Sequence, residues 1–285
     1  MQSESIYKSS AGKQKIMDFY DQVLANWPVP YETQSIDTRY GETAVIVCGD
    51  KGAPPIVLLH GSASNAASWA GDVAIYAEQH RVYAVDVVGD AGKSAAIRPD
   101  FEGPAFAEWL DDVRAGLGID TMTLVGLSMG GWIALKYSTT YPERVNTLVL
   151  LTPGGIAPHN PIFFLKMMPF FFLGKWGQRR AVQMLFADFP VPDGTVEVMN
   201  LIMRHFKPRR ETLPLFNDDE LASLTCPVIF IGGEKDGLLD VPGTADRLGK
   251  WVPHLQTHII PGGGHAIVHT AGQVVDMLPA VKAVR

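Results

Sequence analysis

Two cysteines in 285 residues leave no room for a disulfide framework. Cys48 and Cys226 each sit at the edge of a strand-like run and read as reduced, partly buried thiols of a cytoplasmic protein. Long hydrophobic runs are missing as well. The most apolar stretch, Pro161 to Trp176, is interrupted by Lys166 and Pro169 and is too short to cross a bilayer. Residues 1–15 are polar and carry no apolar segment of the secretory kind. Charge is sparse, at 19% of residues with a net value of −6, and no Lys/Arg run exceeds pairs such as Arg179-Arg180 and Arg209-Arg210. That balance argues against a nucleic-acid partner and against an anionic membrane. There is no internal repeat and no low-complexity tract, and nothing in the residues bears on oligomeric state.

What is abundant is core material. With 47% hydrophobic residues the chain has enough apolar side chains for one large fold. A helix is expected over Ile16 to Leu24, closed by Trp27-Pro28-Val29-Pro30. A hairpin follows, with Ser35–Tyr40 and Thr43–Cys48 alternating around Gly41. Short apolar runs then alternate with helical segments: Pro55–Leu59, Arg81–Asp86, Met122–Gly126, Val145–Leu151, Val228–Gly232 and Thr257–Ile260. Strands buried on both faces between helices describe a parallel sheet in an α/β fold. The rhythm breaks after Leu151 and resumes at Pro227. Residues 152–226 therefore read as a helical cap inserted between two parts of one core, 1–151 and 227–285. Within the insertion, the Phe/Met cluster at 163–172 has two readings, packing of the cap on the core or the wall of an apolar pocket.

The chemistry centres on Gly126-Leu127-Ser128-Met129-Gly130. A buried strand precedes it and a helical pattern from Trp132 follows, so the serine falls on a sharp strand-to-helix turn. Such a turn lifts the Ser128 hydroxyl above the sheet and sets the Met129 N–H at the helix start. A serine hydroxyl needs a base and a group that orients the base. In an open α/β sheet these lie beyond the carboxyl ends of strands. Asp236 follows the strand ending at Gly232, with Glu234 and Asp240 as alternatives. His265 follows the next strand through Gly262-Gly263-Gly264. His254 and His258 lie before or within that strand. His269, four residues on, raises a metal pair with His265, but no further ligand set accompanies it. A developing oxyanion also needs donors, and the Ser62 N–H after Leu58-Leu59-His60-Gly61 is expected to join that of Met129. His60 is expected to hold this loop. Gly92-Lys93-Ser94 looks like part of a phosphate-binding loop, yet Val87 stands where that motif needs glycine.

With His60-Gly61, Asp86-x-x-Gly89-x-x-Gly92-x-Ser94, the Ser128 turn, Asp236 and His265 in their places, the chain resembles the α/β-hydrolase superfamily over nearly its whole length. Tyr83 to Asp90 with Lys93-Ser94, together with Trp27-Pro28 and Ser35 to Gly41, is similar to bacterial carboxylesterases. The resemblance implies a mostly parallel sheet of about eight strands flanked by helices. It also implies a serine esterase with the triad Ser128, Asp236 and His265, acting on a small-molecule ester with no metal or organic cofactor. Relatives with this triad also cleave thioesters, amides or carbon–carbon bonds, and some serve as ligand receptors. A serine at 128 sets aside the branches that use a carboxylate nucleophile.

Overall fold

A computed structural model describes residues 5–279; within it, the side chains of Pro161, Phe164, Phe171 and Phe172 lie outside the described set. Eight strands form one sheet: β1 (Tyr31–Thr38), β2 (Gly41–Cys48), β3 (Pro55–Leu59), β4 (Arg81–Val85), β5 (Met122–Leu127), β6 (Val145–Leu151), β7 (Val228–Gly233) and β8 (Leu255–Ile260). Their spatial order is β1-β2-β4-β3-β5-β6-β7-β8. Only the β1–β2 and β2–β4 pairings are antiparallel; all the others are parallel.

Burial on both faces explains the unbroken apolar runs. Along β3, Val57 and Leu59 point into one core cluster and Ile56 and Leu58 into the other. In β5, Leu124 and Val125 divide in the same way. One face is covered by α3 (Ala105–Gly116), α4 (Met129–Thr140), α8 (Asp218–Ala222) and α9 (Val241–Trp251). The other carries α1 (Ser10–Ala25), α2 (Val73–Ala77) and α10 (Ala271–Met277). Each Leu, Val or Ile withdrawn from water contributes roughly 1.5–3 kcal/mol, so the central strands form the rigid base of whatever they carry.

Helix α4 starts Met-Gly-Gly, a poor helical opening by propensity. It forms because Gly130, Gly131, Trp132 to Leu135 and Tyr137 are all buried between the sheet and α3. The edge elements depart from the sequence reading. Strand β1 begins at Tyr31 rather than Ser35, through exposed Glu32 and Thr33 and half-buried Gln34, which show no apolar alternation. Strand β8 extends back to Leu255 and is exposed along much of its length, since it has a neighbour on one side only. Helix α1 starts earlier than Ile16, with the Ser9 hydroxyl accepting the Gly12 N–H at 3.0 Å as its N-cap.

Between β6 and β7 the named elements among the described residues are helical, joined by irregular segments: α5 (Pro161–Met167), a 3₁₀ turn (Met168–Phe172), α6 (Gly174–Phe186), α7 (Thr195–His205) and α8. Phe163 and Met167 are buried in a small cluster with Ala181, which Met184, Leu185 and Leu238 flank. Phe163 lies directly against Gly237. Of the two readings of the Phe/Met cluster, packing onto the core is the one these two residues follow. Cys48 and Cys226 are free and buried.

Candidate active site

Ser128 joins β5 to α4 with φ 52° and ψ −110°. A non-glycine residue there carries strain of about 1–3 kcal/mol and needs surroundings that hold it. The Ser128 N–H donates to the Leu151 carbonyl at 2.9 Å, and its carbonyl accepts from Trp132 N–H at 3.0 Å and Gly154 N–H at 3.3 Å. The flanking glycines are sterically required. A Cβ on Gly126 would overlap the Gly130 carbonyl, and one on Gly130 would overlap that of Leu59.

The sheet brings the three sequence-distant side chains together. Asp236 follows β7 and its side chain is fully buried. Its Oδ1 accepts the N–H groups of Leu238 and Leu239 at 2.8 and 3.0 Å. Its Oδ2 lies 2.8 Å from His265 Nδ1. An ionised carboxylate only accepts, so Nδ1 carries the proton and the Nε2 lone pair of a neutral imidazole faces outward. Nε2 is 3.1 Å from Ser128 Oγ. That arrangement can take the hydroxyl proton.

The alternatives fall elsewhere. Glu234 accepts the Gly262 N–H at 2.8 Å and so ties down the glycine loop before His265. Asp240 caps α9 through the Gly243 N–H at 2.9 Å. The segment from His265 to His269 is not helical, and His269 lies beside Gly71 and Asp72.

Ser62 stands on the wall of a cavity of about 670 Å³ together with Ser128 and His265. A Cβ on Gly61 would lie 3.5 Å from that of Ser128, so the loop passes close to the nucleophile candidate. Met129 is the first residue of α4, where an N–H has no partner within its own helix, and its side chain is buried in the core. Phe19 from α1, Leu185 and Phe186 from α6, and Val198, Met199 and Ile202 from α7 line the cavity. Phe163 and Met167 do not. A second groove of about 750 Å³, between α1, α6 and α7, is polar and contains none of the three assembled side chains.

Several supporting groups escaped sequence reasoning. Asp90 is buried and its Oδ2 accepts the N–H of Ala63 at 3.1 Å; Ala63 itself has φ 54°. Asp86 is also buried and accepts the Ala66 and Lys93 N–H groups at 2.6 and 2.7 Å. Gly92-Lys93-Ser94 thus closes on an internal carboxylate, with Ser94 Oγ donating to the Asp86 carbonyl at 2.7 Å. A loop turned toward a negative charge is no cradle for phosphate. Burial pushes both carboxyls above their ordinary range, opposed by the backbone N–H groups that they accept. His60 holds its loop as expected: Nε2 accepts the Val87 N–H at 3.0 Å, which leaves Nδ1–H to donate to the Gly61 carbonyl at 2.8 Å. Thr152, at φ 40°, donates to the His265 carbonyl at 3.2 Å. His159 is held below the ordinary histidine value by burial and by the nearby His265, while Asp236 opposes the shift. A short polar residue or a lone histidine in a loop has no periodicity, so only the presence of a buried carboxylate in Asp86 to Asp90 left any signal in the sequence.

The sequence profile of the alpha/beta hydrolase fold matches residues 54–196, from β3 through the Ser128 turn into α7. The chain belongs to the α/β-hydrolase family. This α/β-hydrolase is 30% identical over 264 residues to carboxylesterase YbfK of Bacillus subtilis, covering 87% of this chain and 86% of that protein. Among solved structures, naproxen esterase from Bacillus subtilis superposes with a TM-score of 0.83 at 27% identity, covering 94% of this chain and 99% of that one. Carboxylesterase CesB (YbfK) gives 0.79 at 29% identity, with 93% and 95% covered. A meta-cleavage product hydrolase from Pseudomonas fluorescens, at 21% identity and a TM-score of 0.67, shares the fold.

Proposed function

We propose that the chain is a serine hydrolase that cleaves small apolar carboxylic esters through Ser128, His265 and Asp236 and an acyl-enzyme intermediate. The supporting observation is the relay of 3.1 Å and 2.8 Å from Ser128 Oγ through His265 to Asp236. The likeness to two Bacillus carboxylesterases favours esters over the thioesters, amides or carbon–carbon bonds open to the same side chains.

In the proposed cycle, His265 Nε2 takes the Ser128 proton as Oγ bonds to the ester carbonyl carbon. The Ser62 and Met129 N–H groups receive the oxyanion, each such donor contributing on the order of 3 kcal/mol. The C–O bond to the alcohol breaks as His265 gives its proton to the leaving oxygen. Water then loses a proton to the same imidazole and attacks the acyl-serine. The acid departs and Ser128 regains its proton.

The α5–α8 insertion, residues 152–226, acts in this reading as a cap over a core built from 1–151 and 227–285. Its α6 and α7 supply the apolar wall that selects the substrate. The two free, buried thiols support a cytoplasmic location. Turnover of a p-nitrophenyl ester series beside matched thioesters and vinylogous diketones tests the proposal. Esters should be the preferred class, and preference for another class would overturn the ester assignment while leaving the triad intact.

A further inference from the structure

The outer face of α5, the 3₁₀ turn after it and the start of α6 is unlike the rest of the surface. Ile162, Leu165, Met168, Leu173 and Trp176 are each more than half exposed within fifteen residues of chain. Their neighbours Phe163, Met167 and Gly177 are buried, so this stretch carries apolar side chains toward solvent as well as toward the protein. The Trp176 ring is set against Phe170, with centroids 6.1 Å apart, which fixes the turn to α6.

Charge is segregated at the same place. Between residues 161 and 187 the chain has Lys166, Lys175, Arg179 and Arg180 and no Asp or Glu, in a protein of net charge −6. All four cations are exposed and make no ion pair among the described residues. The next acidic residue, Asp188, is occupied by Lys235 at 2.6 Å. On the first turns of α6, Trp176 and Arg180 stay clear of the polar groove between α1, α6 and α7, while Lys175 and Arg179 stand on its wall beside Lys15 and Arg204, with Asp193 and Glu197 as the acids there.

We infer that this outer cap face docks on an anionic lipid surface, with Ile162, Leu165, Met168, Leu173 and Trp176 entering the headgroup boundary, and Lys166 and Arg180, with Lys175 and Arg179 at the open groove beside them, meeting lipid phosphates. A helix–turn–helix with exposed aliphatics, a tryptophan and flanking Lys/Arg suits an interface that is apolar within and negative at its rim. A second copy of the chain fits worse, because a two-fold contact would set the same four cations against themselves. The whole-chain charge, which argued against such a surface, averages over a local excess of the opposite sign. No helix among the described residues is long and apolar enough to cross a membrane, so the contact is peripheral. Residues of α6 and α7 on the opposite side line the cavity over Ser128, which would place the site near dissolved lipophilic esters.

The test is flotation of the full chain with vesicles of phosphatidylcholine alone or with about a third phosphatidylglycerol. Binding should favour the anionic vesicles by at least tenfold and weaken with added salt. The triple variant Lys175→Gln, Arg179→Gln, Arg180→Gln should bind roughly a hundredfold more weakly, at about fivefold per cation. Leu165→Ser with Trp176→Ser should also lose binding, and a vesicle-induced blue shift in emission should vanish in Trp176→Phe. All three variants alter exposed side chains and should keep wild-type turnover of a water-soluble ester, which separates this outcome from failure of the esterase reading. No flotation, equal binding to both vesicle types, or a dimer lost in the Leu165/Trp176 variant would overturn the inference.

Discussion

The Asp90 carboxylate accepts the backbone N–H of Ala63, one residue beyond Ser62, at 3.1 Å. Its other oxygen takes the Ala91 N–H at 2.8 Å, so the buried acid fastens the loop after β3 to the loop after β4. Asn65 reinforces the same seam by donating to the Ala91 carbonyl at 3.0 Å. The proposed oxyanion donor at Ser62 is thus set by a carboxylate that never meets substrate.

Replacing Asp90 with Asn leaves one oxygen for two donors. We expect kcat to fall roughly ten- to a hundredfold, less than the loss of a whole oxyanion donor, with KM nearly constant. Steady-state kinetics beside circular dichroism checks this. An unchanged kcat, or a loss wholly explained by unfolding, would show that Asp90 only stabilises the fold.

Ser128→Ala and His265→Ala should each lower ester turnover on the order of 10³–10⁶-fold with the fold retained. Asp236→Asn should be strongly impaired, since an amide can no longer demand the Nδ1–H tautomer of His265. Glu234→Gln should lose much less, because a carbonyl oxygen can still accept the Gly262 N–H. Single-turnover rates for the four variants give the order; a worse defect in Glu234→Gln would reassign the acid.

The parts of the fold that read directly from sequence are those where packing imposes a period. Strands β3 and β6 fall on the expected bounds because all their residues but Pro55 and Asn146 are buried, on both faces of the sheet. Strands at the sheet margin do not, since Glu32-Thr33-Gln34 and Leu255-Gln256 satisfy backbone pairing without burying a pattern. Ser128, Asp236 and His265 were legible through their positions after strands. Asp90, Thr152 and His159 were not, because their placement depends on long-range loop contacts. The Phe/Met cluster left two readings open for a similar reason: composition does not say which way a helix faces, and α5 turns Phe163 and Met167 toward Gly237 and Ala181.

That difference predicts two separable mutant behaviours. Phe163→Ala should cost about 3 kcal/mol of stability, as for a buried aromatic, and lower all ester rates together. Met199→Ala should instead move the preference toward longer acyl chains while acetate turnover changes little. Thermal melts and a C2–C10 p-nitrophenyl series distinguish them; a chain-length shift in Phe163→Ala without loss of stability would return that residue to the pocket.

His80 supplies a pH test of the fold. Burial lowers its pKa from the ordinary 6.5, partly offset by the Tyr76 backbone. A depressed folded value means the unfolded chain binds the proton first. The contribution is therefore present above pH 6.5 and is lost as pH falls through the lower folded value, with a slope of at most about 1.4 kcal/mol per pH unit. Denaturant titrations from pH 7.5 to 5 should show stability falling, and His80→Gln should flatten that fall. An equal slope in the variant would assign the acid sensitivity elsewhere, for instance to His159, which burial shifts in the same direction.

The central claim is that His265 and Asp236 make Ser128 a nucleophile that turns over. Its most direct test is a rapid-mixing time course with excess p-nitrophenyl ester, on enzyme whose active sites have been counted with a fluorophosphonate. The account predicts one phosphonate per chain, attached at Ser128, and sustained product release well beyond one equivalent, abolished by that labelling. Labelling at another residue, or a single equivalent of p-nitrophenol followed by no further release from any ester, would contradict it.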